Sequence, residues 1–118
     1  INAENASQVQ AKYVIEGANG PVTAEADAIL EKKGVTVVPD ILANGGGVIV
    51  SYFEWVQGIA SFFWDEDEVN RRLHHQITKA FHRVWEFHKE KQVPMRVAAM
   101  CVSTKRLEKA MLLRGLYP

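Results

Sequence analysis

The feature that most constrains this chain is a run of three glycines, Gly45 to Gly47, set between a β-branched stretch and a long apolar one. Glycine loses more backbone freedom on ordering than any other residue. Three in succession mark a place where the backbone bends sharply or where a ligand touches it. Ahead of the run, Val35, Val37 and Val38 give a strand signal. Pro39 cannot donate to a sheet ladder, so the strand stops there. Behind the run, Val48 to Trp55 is too long and apolar for a loop and predicts a helix starting near Gly46 or Gly47. The free N–H groups of such a helix point back into the loop and form an anion-binding corner. Ser51 lies one turn beyond Gly47 and can face the same space. Asn44 brings an amide that both donates and accepts. Two readings stand side by side: a small anionic ligand held by Asn44, the loop amides and Ser51, or a tight strand-to-helix turn with a serine filling a gap.

Upstream, residues 3–11 read as a short, weak helix leading into a brief strand at Tyr13 to Glu16. Gly17 to Pro21 is dense in turn formers. Thr23 is an N-cap for a helix over Ala24 to Lys33, with Glu25 and Asp27 in its first turn and Gly34 closing it. Residues 13–38 are therefore a strand–helix–strand unit with parallel strands and a right-handed connection. Both loops that follow its strands, Gly17–Pro21 and Ala43–Gly47, lie at the carboxyl edge, where open α/β sheets bind ligands. Asn19 and Asn44 then face one crevice, although Asn19 also suits a plain turn.

Downstream, the helix runs to about Ser61, with Gly58 as a candidate bend. Phe62, Phe63 and Trp64 form an aromatic cluster that suits packing against another element. Asp65 caps a long helix, with Glu68 in the place of a capping box. Val69, Leu73, Ile77, Ala80, Phe81, Val84 and Phe87 form one apolar stripe. Gln92 to Pro94 breaks the chain, and a last helix runs from Met95 to about Leu113, ended by Gly115.

The length of 118 residues allows one domain, and 47% apolar with 24% charged residues is globular composition. No stretch approaches the roughly 20 apolar residues that span a bilayer, so a membrane partner is not expected. The single cysteine, Cys101, cannot form an intrachain disulfide and suits a reducing cytoplasm. Residues 1–64 hold three lysines against seven acids (3 − 7 = −4), and residues 65–118 hold eleven Lys/Arg against seven acids (11 − 7 = +4). The basic half alternates with acids along helices, which suits a solvated face or an oligomer interface rather than nucleic acid. His74, His75, His82 and His88 include no i,i+3 or i,i+4 pair, so no metal site is expected. Serine-hydrolase, P-loop, CxxC and GxGxxG patterns are missing from the sequence.

Several stretches, in order, carry a resemblance. They are Glu16-Gly17-Ala18-Asn19-Gly20-Pro21, Val38-Pro39-Asp40, Leu42-Ala43-Asn44-Gly45-Gly46-Gly47-Val48 and Val50 to Gln57. Met95-Arg96-Val97-Ala98-Ala99 and Ala110 to Gly115 complete the set. Together they closely resemble the glutamate dehydrogenase family (Glu/Leu/Phe/Val dehydrogenases), over essentially the whole chain and as its carboxyl-terminal segment. The resemblance implies an α/β fold: a partial Rossmann-like strand–helix–strand unit followed by long C-terminal helices. Residues 1–64 would be part of a nucleotide-binding region, and residues 65–118 a C-terminal helical region. It implies oxidative deamination of L-glutamate to 2-oxoglutarate and ammonia with NAD or NADP. Carried over by motif, Asn19 and Asn44 lie against the cofactor, and Val48 and Ser51 line the glutamate pocket. Gly45 departs from the family, which more often has alanine there. The family's catalytic lysine and aspartate and its glycine-rich dinucleotide turn match nothing in this sequence.

The expectation is a chain that neither reduces NAD(P) nor binds it tightly alone. The alternative is a non-catalytic regulatory or assembly subunit, self-associating or bound to a full-length glutamate dehydrogenase. Two parallel strands and an uncovered apolar helix point to association, with a homo-oligomer of exchanged C-terminal helices as the structural expectation.

Overall fold

A computed structural model describes residues 1–115. Two strands, β1 (Tyr13–Ile15) and β2 (Thr36–Val38), pair in parallel with Tyr13, Val14 and Ile15 opposite Thr36, Val37 and Val38. The helices are α1 (Ala24–Lys32), α2 (Asp40–Ala43), α3 (Gly46–Ala60), α4 (Glu66–Lys91) and α5 (Met95–Arg114). The chain is thus mostly helical, with a two-stranded parallel sheet between its helices.

Local signals set most of these boundaries. Thr23 Oγ1 accepts the Ala26 N–H at the start of α1, and Gly34 ends that helix at φ 74°. Asp65 Oδ1 accepts the Glu68 N–H at 2.8 Å and starts α4. The capping box is only half formed, because the Glu68 carboxylate turns to Arg71 and Arg72 instead. Ser61 and Gln92 end α3 and α4 in the left-handed region, at φ 49° and 52°. The Gln57 side chain ties α3 to the α3–α4 connection, donating to Phe53 O and accepting the Trp64 N–H.

Some expectations fail locally. Residues 3–11 form only a 3-10 turn, Ala6–Gln8, because Ala6 alone is buried there and too little apolar surface holds a helix. The segment after Pro39 forms a short helix that the sequence pattern did not announce: Pro39 O accepts the Leu42 and Ala43 N–H groups, and Pro39 itself sits at the N-cap of α2. The aromatic cluster splits. Trp64 packs edge-on to Phe53 and under Arg72, whereas Phe62 and Phe63 are exposed. Gly58 does not interrupt α3.

Two apolar cores meet at β2. Ala6, Ala26 and Leu30 are buried with Val9, Val22, Ile29, Val35 and Val37 around them. Leu42, Val84, Met95, Ala98 and Ala99 form the second, with Val38, Phe81, Trp85 and Val102 against it. Val37 and Val38 thus face opposite cores, as alternation along a strand requires. Burying a side chain such as Leu30 contributes roughly 1.5–3 kcal/mol. The apolar stripe expected on α4 is half-buried along its length and fully buried at Val84, and α4 packs mainly on α5. Other apolar faces stay open. Tyr13 and Ile15 on β1 and Val48, Tyr52, Trp55 and Ile59 on α3 are all more than half exposed. None of the helices is long and apolar enough to cross a membrane among the described residues.

Candidate functional site: a crevice at the strand ends

Because β1 and β2 run parallel, the loops that follow them emerge at the same edge of the sheet. Gly17, Ala18 and Asn19 come from the first loop, and Asn44, Gly47, Val48 and Ser51 from the second and from α3. Together they line one open concavity. Asn44 Nδ2 donates to Asn19 Oδ1 at 2.6 Å and bridges the crevice. All four residues singled out from the sequence, Asn19, Asn44, Val48 and Ser51, therefore lie together. Ser51 and Val48 sit in the first two turns of α3, on the exposed side.

The glycines do separate jobs. Gly46 begins α3, as the pattern predicts, and no side chain caps that end. A Cβ on Gly46 would stand 3.3 Å from Ile77 Cδ1, so this glycine lets α3 approach α4. That role in helix packing is absent from the sequence pattern. A Cβ on Gly47 would meet open space, consistent with a backbone left clear toward the crevice. Gly45 has φ −65° and room for a Cβ, with Ile41 O at 3.7 Å, so an alanine would fit its conformation.

Behind the crevice lies a charge cluster that sequence reasoning missed. Glu16, 1% exposed, follows β1. Its Oε2 accepts the Asp40 N–H at 2.7 Å. Arg96, in the first turn of α5, grips the same carboxylate with both terminal nitrogens, at 2.5 and 3.1 Å. Arg96 Nε donates to Asp27 Oδ2 at 2.6 Å, and its Nη1 stands 3.6 Å from Asp40 Oδ1. Asp40 Oδ2 in turn accepts the Gly20 N–H at 2.9 Å. The Glu16 carboxylate, then Asp27, holds the Arg96 guanidinium above its ordinary range, against the opposing effect of burial. The Gly20 and Ile41 N–H groups, with Arg96 beyond them, hold the Asp40 carboxyl below the usual carboxylate range. The only signal in the sequence was that each acid lies just after a strand or in a first helical turn. The pairing across the chain was not visible.

The histidines do not converge. His88 Nδ1 bonds Val93 O at the turn between α4 and α5, while His74, His75 and His82 lie on the outer face of α4. Among the described residues no three His, Cys, Asp or Glu side chains gather as for a metal.

Loops at the carboxyl ends of parallel strands are the place where open α/β folds commonly bind small ligands, and this chain has the α/β architecture of that class. Residues 1–115 match the profile of the Glutamate/Leucine/Phenylalanine/Valine dehydrogenase family, and the chain belongs to that family. It is 52% identical to the glutamate dehydrogenase of Thermotoga maritima over 118 residues, all of this chain and 28% of that protein. It also superposes on a crystal structure of glutamate dehydrogenase from Peptoniphilus asaccharolyticus with a TM-score of 0.94 and 42% identity, covering 99% of this chain and 30% of that one. The hetero-hexameric glutamate dehydrogenase of Thermus thermophilus in a leucine-bound form gives a TM-score of 0.92 and 39% identity, over 100% and 28% of the two chains. The chain thus spans under a third of the length of these relatives.

Proposed function

We propose that this chain is the carboxyl-terminal part of, or a truncated protein related to, an NAD(P)-dependent glutamate dehydrogenase, which converts L-glutamate to 2-oxoglutarate and ammonia. Residues 1–64 supply part of a Rossmann-like nucleotide-binding region, and residues 65–118 the C-terminal helical region. The observation that carries this reading is the Asn19–Asn44 bond set over Val48 and Ser51 in one crevice. Asn19 approaches the nicotinamide ribose, and Asn44 lies beside cofactor and substrate. Val48 and Ser51 line the glutamate pocket, with Ser51 bonding the substrate's side-chain carboxylate.

The residues present fit one end of such a cofactor. Asn19 Nδ2 and Asn44 Oδ1 are not used in the bond that joins the two amides, so the pair keeps one donor and one acceptor for a ligand. The bound dinucleotide supplies the hydride acceptor. The chain's own residues orient the ligands and leave the Gly47 backbone clear for them. Nothing in the sequence supplies the family's catalytic lysine or its pyrophosphate-binding turn, so the 118 residues alone are inactive and hold NAD or NADP weakly. Cys101 suits a cytoplasmic setting.

The test uses a complete dehydrogenase chain carrying these residues. Ser51→Ala raises KM for glutamate while leaving KM for NAD(P) unchanged, and Asn19→Ala does the reverse. The opposite split overturns the assignment, as does glutamate-dependent nicotinamide reduction by the pure 118-residue protein. A second reading is a non-catalytic subunit that self-associates or binds a full-length dehydrogenase. The exposed stripe Val48, Tyr52, Trp55 and Ile59 favours it. Capture of a full-length glutamate dehydrogenase by the tagged chain, with no activity of its own, would select this second reading.

A further inference from the structure

The crevice residues hold their own spacing only through the single Asn44–Asn19 bond. Two ties join the first loop to the segment that follows β2: Asn44 to Asn19, and the Gly20 N–H to Asp40 at the start of α2. Asn44 is fixed to Asp40 by one helical turn, its N–H donating to Asp40 O at 2.9 Å. Asn19 stands three positions after Glu16, and Glu16 accepts the Asp40 N–H. Every one of these links leads back to Glu16 or Asp40. Both of those carboxylates face the one guanidinium of Arg96, which arrives on α5 from the far end of the chain. Three acids, Glu16, Asp27 and Asp40, surround that guanidinium. Without the cation Glu16 would be a buried, unpaired charge, and its repulsion from Asp40 would push the two loops apart.

We infer that Arg96 is a positioning residue, which sets the Asn19–Asn44 spacing through Glu16 and Asp40 and so makes the grip on the nicotinamide end of the cofactor depend on where α5 sits. The inference rests on the reading of the crevice as a cofactor edge. Arg96 lines no part of the crevice itself. Asp27 provides the internal control. It is bonded to the same guanidinium but belongs to α1, and among the described residues its side chain makes no hydrogen bond to either loop. A purely structural Arg96 would make Asp27→Asn and Arg96→Lys alike in kind. A positioning Arg96 would separate them. Lysine keeps the charge but cannot reproduce the fork on Glu16.

The experiment compares the complete dehydrogenase with its Arg96→Lys and Asp27→Asn variants, each checked for an intact folded state by its thermal transition. Without cofactor, amide hydrogen exchange of peptides covering residues 17–22 is expected to quicken about tenfold in Arg96→Lys and to stay unchanged in Asp27→Asn. Titration with NAD(P)H is expected to show about tenfold weaker binding in Arg96→Lys only, with KM for glutamate within about twofold of the unsubstituted enzyme. Equal exchange and equal affinity in Arg96→Lys and the unsubstituted enzyme overturn the inference. So does an Asp27→Asn variant as impaired as Arg96→Lys. If Arg96→Lys quickens exchange and the unsubstituted enzyme itself binds no NAD(P)H, the coupling of α5 to the loops stands and the cofactor reading of the crevice falls.

Discussion

Glu68 on α4 and Glu16 after β1 both accept hydrogen bonds from arginine, and the resemblance ends there. Glu68 pairs with Arg71 and Arg72, three and four residues on, at 2.7 and 2.5 Å. The arginines are 69% and 44% exposed. Glu16 pairs with Arg96 across 80 positions, and its side chain is fully buried. The short contacts look equally strong on distance alone. Their surroundings make them different. The α4 cluster forms wherever that helix forms and is screened by water. The Arg96 cluster forms only after α5 has folded back on the strand ends, and removing Arg96 strands the buried Glu16 charge. Local pairs decorate an element, whereas the distant pair fixes how elements meet.

That contrast can be broken by substitution. Arg96→Met is expected to destabilise the protein most, by about 3–5 kcal/mol in urea unfolding, because Glu16 keeps a buried charge with no cation. A loss under about 1 kcal/mol would mean that water or relaxation rescues Glu16 and that the two clusters are energetically alike. Asp40→Asn should follow, with a distinctive pH signature. Its folded-state carboxyl titrates below the ordinary value of about 3.9, so its stabilising contribution is present above that pH and disappears as pH falls through the lowered native value. The Tm gap between the native protein and Asp40→Asn should therefore be open near neutral pH and close in strong acid. A gap that is constant with pH would remove the charge from the explanation.

On the α4 side the effects shrink. Asp65→Ala removes the Glu68 N–H acceptor and is expected to cost about 1 kcal/mol, read as a shift of the urea midpoint. Arg71→Ala should leave Tm unchanged within error at physiological salt, since the pair it breaks is exposed. A clear loss there would show that Glu68, Arg71 and Arg72 act as a network and would narrow the contrast with Arg96.

Much of the fold was legible because its signals are local. Thr23 and Asp65 as caps, Gly34 as a terminator, the apolar stripe of α4 and the strand stop at Pro39 each need only near neighbours. Residues 3–11 misled for the complementary reason: helix propensity without a buried face gives only Ala6–Gln8. Phe62 and Phe63 misled because aromatic character does not say which side chain finds a partner, and only Trp64 reaches Phe53. The residues of the crevice were legible as well. Asn19, Asn44, Val48 and Ser51 follow from strand-end loops, a helix start and family motifs. The bond between the two asparagines was not legible, nor was the use of Gly46 to admit α4.

The sequence by itself determined the two strands and their parallel sense, the helices α1, α3, α4 and α5 in order, the Thr23 and Asp65 caps and the membership of the dehydrogenase family. Each depends on spacing, on intrinsic backbone preference or on motifs kept in register. Tertiary structure alone decided that Glu16, Asp27 and Asp40 share one arginine. Nothing within reach of any of them along the chain marks Arg96 as the partner. Only the return of α5 over the carboxyl ends of the strands brings it there, and burial of Glu16 then makes the contact obligatory.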